Sequence, residues 1–128
     1  KMRDFWMPFA PSILREAHKS YLQMGRVTTA PFMITSFDST DKGRRDFCAA
    51  MHNRDKTLRA QIVEKSVNPK YHQLLCYFYE FTGIGGVLNT SFNLHGFPLV
   101  CDPAQAIFTM DNCKLQYLAL ENYLLCKK

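Results

Sequence analysis

Three short clusters hold residue types able to grip an anion. The first is Lys1-Met2-Arg3. Alternate residues of an extended segment point to one face, so Lys1 and Arg3 can close on the same anion. A solvated chain start would carry the same residues. The second is Asp55-Lys56-Thr57-Leu58-Arg59-Ala60-Gln61. A guanidinium projecting from a strand face clamps a phosphate or carboxylate with two parallel hydrogen bonds. An exposed charge on a half-buried strand would read the same way. The third is Asn89-Thr90-Ser91-Phe92-Asn93, directly after a short apolar run. Phosphates bind where backbone N–H groups and hydroxyls converge beyond the C-terminal end of a strand. The competing reading is a turn whose Asn and Ser side chains satisfy their own backbone.

Other chemistries find no support. There is no Ser/His/Asp spacing, no H-E-x-x-H and no G-x-x-x-x-G-K-[ST] loop. The four histidines are scattered, which suits surface or packed roles. The five cysteines are odd in number and never spaced C-x-x-C, which argues against a disulfide framework or a zinc site. Buried free thiols in a reducing cytoplasm fit better. No apolar run approaches the ~20 residues of a membrane span. The start of the chain is basic but has no apolar signal-peptide region. The net charge of +5 is uneven. Residues 1–70 hold 13 Lys and Arg against 7 Asp and Glu, while residues 71–128 hold 3 against 4. An anionic ligand therefore belongs to the first half. Charge alone does not choose between a nucleotide, a small phosphate and RNA.

The 128 residues fit one domain, and the dense sequence from Lys1 onward suggests a piece of a longer protein. Pro8 and Pro11 break any helix near the start, so that segment reads as an extended strand entering a turn. Apolar spacing predicts a helix over 12–23, ended by Gly25. Residues 30–37 read as a strand, and Thr40 or Asp41 caps a short helix to about Met51. Residues 57–63 alternate, with Leu58, Ala60 and Ile62 on one face and Thr57, Arg59 and Gln61 on the other. Asn68-Pro69 opens a helix with a Tyr71, Leu74, Leu75, Phe78 stripe, stopped by Gly83. A short strand follows over 86–89. Asp102-Pro103 opens a helix to about Met110, and 117–120 and 122–126 close the chain as strands. Helices interleaved with short strands predict an α/β or α+β domain.

Taken together, the clusters resemble the C-terminal domain of the O-carbamoyltransferases that decorate antibiotics and nodulation factors. The residues carrying the likeness run in order: Lys1 to Asp4, Trp6 to Ser12, Ala30 to Met33, Asp55 to Val63, Asn68 to Tyr71, Thr82-Gly83, Asn89 to Asn93, and Gly96 to Val100. Grouped as six motifs, with the first two runs joined and Thr82-Gly83 joined to Asn89–Asn93, any one is weak but six in register are specific. Met7 stands where that family places Arg, and Lys56 stands where it places the Gly of D-G-T. The family's upstream G-P-R-A-L-G-x-R stretch is not in this sequence, so a truncated domain, inactive by itself, is the expectation.

The resemblance implies a YrdC-like twisted mixed sheet flanked by helices. It implies binding of carbamoyl phosphate and ATP, with Mg²⁺ arriving with ATP, to form a carbamoyl-adenylate. A Kae1-like domain of the same polypeptide, with its own metal, would then pass the carbamoyl group to a hydroxyl acceptor. Lys1, Arg3, Arg59, Asn89, Ser91 and Asn93 are the implied binding residues, with Arg59 and Ser91 closest to the chemistry and no metal ligand among them. A cytoplasmic protein with no membrane partner is expected. The alternatives are an RNA- or tRNA-binding YrdC-like module and a non-catalytic interaction domain.

Overall fold

The computed structural model describes residues 6–127. They divide into two compact units, one over Trp6–Thr90 and one from Ser91 onward. The mixed α/β class expected from the sequence is the observed one.

The first unit is organised by β1, Ala10–Leu14, whose five residues are all buried. It runs parallel to β5, Gln61–Val63, and antiparallel to β6, Gly86–Asn89. With neighbours on both edges and cover on both faces, such a strand reads as a continuous run rather than an alternating one. That is why residues 12–23 do not form the expected helix. The chain stays extended to Leu14, makes a short 3-10 turn at His18–Ser20 and enters β2, Leu22–Gln23. Pro11 is tolerated inside the sheet because pairing with β5 begins only at Ser12. Tyr21, 1% exposed, anchors the turn: its hydroxyl accepts from the Gly85 N–H at 2.8 Å.

A second antiparallel sheet joins β2, β3 (Phe37–Ser39) and β4 (Thr57–Leu58). The expected strand over 30–37 is displaced. Ala30 is buried, but Phe32 and Ile34 are exposed and the strand starts only at Phe37. The carbonyls of Ala30, Pro31 and Met33 are instead taken from the side. Ile62 N–H reaches Ala30 O, Gln61 reaches Pro31 O, and Arg59 reaches Met33 O. Helix α1, Asp41–Asp46, starts as expected at Thr40, whose hydroxyl accepts from Gly43 N–H at 3.0 Å. The period-two reading of 57–63 holds for burial, with Leu58, Ala60 and Ile62 at most 1% exposed. The extended run is split, however, between β4 and β5 in different sheets.

Helix α2, Pro69–Thr82, has the expected cap and stop. Asn68 accepts from Tyr71 N–H, and Gly83 turns left-handed at φ 70°. Its buried edge is rotated from the expected stripe: His72 and Leu75 are buried, while Leu74 is 60% exposed. The His72 Nε2–H, 3.1 Å from both Glu16 oxygens, ties that edge to the turn after β1.

The second unit holds α3, Pro103–Asp111, capped by Asp102, and the hairpin β7 (Tyr117–Leu120) and β8 (Tyr123–Cys126). Ala106, Met110 and Leu118 form its core, with Phe92, Val100, Leu120 and Leu125 packed around them. The cysteines are free, but none is buried: Cys48, Cys101 and Cys126 are exposed and Cys76 and Cys113 half-buried. No helix among the described residues is long and apolar enough to cross a membrane.

Candidate functional site

The three strands of the first sheet each contribute one polar side chain to a single network. Ser12, on β1, is opposite Gln61 on β5. Asn89, opposite Ala10, falls on the same face of β6 because Ala10 and Ser12 are two residues apart. The Ser12 hydroxyl donates to Gln61 Oε1 at 2.7 Å. Asn89 Nδ2 donates to Ser12 Oγ at 3.0 Å and to Gln61 Oε1 at 3.1 Å. Gln61 Nε2 in turn donates to Pro31 O at 3.2 Å. Ser12 is fully buried, and a buried hydroxyl needs such partners. Residues from four separated sequence clusters thus meet at one end of the sheet.

Arg59 lies two positions before Gln61 and is exposed. One of its terminal nitrogens donates to Met33 O at 2.9 Å, which fixes the guanidinium while leaving most of its fork available. It lines a cleft of about 320 Å³ together with Pro8, Ser36, Ala50, His52, Asp55 and Thr57. The loop beneath the cleft is tightly hydrogen-bonded. Asp55 accepts from Thr57 N–H at 3.0 Å and Thr57 Oγ1 at 2.8 Å, and His52 Nδ1–H donates to it at 2.9 Å. Lys56 sits at φ 61°, the left-handed region that the glycine of the resembled motif would occupy freely. Its ammonium is turned to Asn53 O at 2.7 Å.

These bonds perturb Asp55. The Thr57 backbone N–H first, then the Thr57 hydroxyl and His52, hold its carboxyl down at about 2. A depressed carboxylate stabilises the fold above its unfolded value of about 3.9, and that contribution is lost as pH falls through the folded value. An NMR titration should therefore place the Asp55 midpoint near 2. Thr57→Val, which removes the hydroxyl donor, should raise that midpoint. An unshifted midpoint in the variant would remove the hydroxyl as a cause.

The remaining implied residues are placed differently. Ser91 and Asn93 belong to the second unit. Ser91 Oγ donates to Asn93 Oδ1 at 2.8 Å, and Asn93 Nδ2 donates to Phe97 O at 2.7 Å. Val100 N–H closes the same loop on Phe92 O at 3.0 Å. Lys1 and Arg3 lie outside the described residues. Ser12, Gln61 and His52 were not singled out from the sequence as site residues. The signal for Gln61 was its place on the polar face at i+2 from Arg59; Ser12 had no signal beyond closing the Ala10-Pro11-Ser12 cluster. Among the described residues, no group of three His, Cys, Asp or Glu side chains could hold a metal ion.

The family described as "Carbamoyltransferase C-terminus" matches residues 1–127. The chain is 38% identical over 125 residues to an uncharacterized protein of Methanocaldococcus jannaschii, a match covering 98% of this chain and 24% of that protein. It is 31% identical over 129 residues to nodulation protein NolNO of Sinorhizobium fredii, covering 100% of this chain and 19% of the relative. Nodulation protein NolO of Bradyrhizobium diazoefficiens is 30% identical over 128 residues, with 100% and 23% covered. The chain thus spans about a fifth to a quarter of the length of these relatives.

Proposed function

The chain belongs to the carbamoyltransferase C-terminal family, and from that premise we propose that it is the part of an O-carbamoyltransferase that binds carbamoyl phosphate and ATP. The observation that carries the reading is the meeting of separated family-like clusters at one place: Ser12, Pro31, Gln61 and Asn89 in one network, with Arg59 at the neighbouring cleft.

Two polyanions have to be held close together for a carbamoyl-adenylate to form, so most of the work is positioning and charge neutralisation. Arg59, in the link between β4 and β5, supplies a cation held by its bond to Met33 O. Lys1 and Arg3 would add to it, and Ser91 and Asn93 would donate to phosphate oxygens. Mg²⁺ would enter with ATP, held by its phosphates and water rather than by a protein cage. In the longer polypeptide a Kae1-like domain would receive the activated carbamoyl group and choose the hydroxyl acceptor.

Calorimetry on the full-length polypeptide should register both carbamoyl phosphate and ATP. Ser91→Ala should weaken carbamoyl phosphate or ATP by about ten- to hundredfold, the scale of one hydrogen bond to a charged group. A wild-type protein that binds neither ligand overturns the reading. Unchanged affinities in the variant would remove Ser91 from the site.

A further inference from the structure

The Ser12–Gln61–Asn89 network fixes which way the Asn89 carboxamide points, and that direction selects a ligand chemistry. The orientation follows from one end of the chain of bonds. Pro31 O can only accept, so the Gln61 atom 3.2 Å from it is the amide nitrogen. Gln61 Oε1 therefore faces the other two members. It takes the Ser12 hydroxyl hydrogen at 2.7 Å, which leaves Ser12 Oγ facing Asn89 as an acceptor. The Asn89 atom set against these two acceptors, at 3.0 and 3.1 Å, must be its nitrogen. The oxygen Oδ1 is then the atom turned away from the network, and it has no hydrogen-bond partner among the described residues. Asn89 is half-buried, so that oxygen is reachable without being fully solvated.

We propose that Asn89 Oδ1 accepts a hydrogen bond from an N–H of the ligand head group, and that this head is the carbamoyl NH₂, with Ser12 and Gln61 as positioning residues. The inference rests on the functional reading above and deepens it. An amide oxygen repels a phosphate oxygen and attracts a donor, so Asn89 is better suited to the uncharged end of carbamoyl phosphate than to its phosphate. Arg59, with Gln61 its neighbour at i+2, supplies the complementary cation. An acyl phosphate with a methyl group in place of NH₂ would leave Oδ1 unpaired. A site built to bond an N–H rejects an analogue lacking it. The 6-amino group of adenine offers the same donor and is the other source of this chemistry.

The test compares carbamoyl phosphate with acetyl phosphate, and ATP with ITP, which lacks the 6-amino donor. Inorganic phosphate is the control, on the full-length polypeptide. Wild type is expected to favour carbamoyl over acetyl phosphate by about ten- to hundredfold, the scale of leaving one polar group unpaired. Asn89→Ala should bring the two close to parity while inorganic phosphate binds as before, which a misfolded variant would not do. Ser12→Ala, which removes one of the two bonds that orient the carboxamide, should narrow the preference without abolishing phosphate binding. Wild type that binds both acyl phosphates equally, or Asn89→Ala that keeps the preference, overturns the inference alone. Loss of the ATP-over-ITP preference in Asn89→Ala, with the carbamoyl preference intact, moves the donor to adenine and also overturns the carbamoyl assignment. Wild type that binds neither acyl phosphate overturns the functional reading as well.

Discussion

Replacing Arg59 by alanine should weaken carbamoyl phosphate binding by about ten- to hundredfold, the scale of a charge-assisted hydrogen bond, with little change in stability. Both halves follow from where the residue sits. Arg59 is exposed at the edge of the cleft, and its bond to Met33 O at 2.9 Å uses one of five N–H donors. None of the ion pairs among the described residues involves it. The nearby Asp55 turns its Oδ1 to Thr57 and His52 and forms no ion pair with Arg59. Among the described residues the guanidinium charge therefore has no paired counter-ion, and removing it leaves no buried group unpaired. Surface substitutions of that kind shift stability by about 0.5 kcal/mol or less. Arg59→Lys keeps the charge but loses both the fork and the Met33 anchor, so its affinity should fall between wild type and alanine. Calorimetry with thermal melts on the same samples checks both halves. Alanine-variant affinity equal to wild type would exclude Arg59 from the ligand site.

The elements legible in the sequence are those written in local chemistry. Asn68-Pro69, Gly83 and Asp102-Pro103 specify helix ends through bonds made within a few residues; α2 begins and ends, and α3 begins, where those signals put them. The alternation at 57–63 likewise reports which side chains face inward. The misread segments are those decided at a distance. Residues 12–23 show helix-like apolar spacing, yet Ser12 and Ile13 are enclosed by β5 and β6, and Tyr21 is held by Gly85 far along the chain. A strand covered on both faces has no period to read. Residues 30–37 carry strand-forming side chains, but carbonyls of the segment are claimed by the side chains of Arg59 and Gln61 and by the single Ile62 N–H rather than by a strand ladder.

The candidate site was legible in the same uneven way. Arg59 and Asn89 were visible because a lone cation on a polar strand face and a polar residue closing an apolar strand both invite a ligand. What could not be read was the orientation of Asn89, on which its proposed role rests. Taken alone it looked like support for an anion-binding loop, and only the sense of Gln61 against Pro31 shows that its oxygen is the atom on offer. Gln61 and Ser12 were invisible as site residues because their importance lies in pairing across strands 49 residues apart. Asn93 was anticipated either as a phosphate donor or as a turn-former, and its bond to Phe97 O shows the turn-forming half of that pair directly.

Gly86→Ala should cost on the order of 3 kcal/mol, the upper end of ordinary overpacking, and should disturb the site along with the fold. A Cβ at Gly86 would stand 2.5 Å from Ser12 O, 3.0 Å from Phe47 Cζ and 3.1 Å from Ile13 Cα. Two of those atoms are backbone of β1, which is held on its other edge by β5 and cannot retreat without breaking that pairing. The phenyl ring of Phe47 is 2% exposed and stacked edge-on to Tyr21 at 5.0 Å, so it has little room to swing. The strain must then be relieved by moving β6, which carries Asn89 away from Ser12 and Gln61. Gly83→Ala is the comparison: nothing lies within 4 Å of its Cβ, and its cost is the left-handed backbone alone, about 1 kcal/mol. Denaturant unfolding of the two variants should separate them by roughly 2 kcal/mol, with the carbamoyl-over-acetyl preference reduced only in Gly86→Ala. Equal destabilisation by both would mean that β6 yields freely, and that the close approach of β6 to β1 does not hold Asn89 in place.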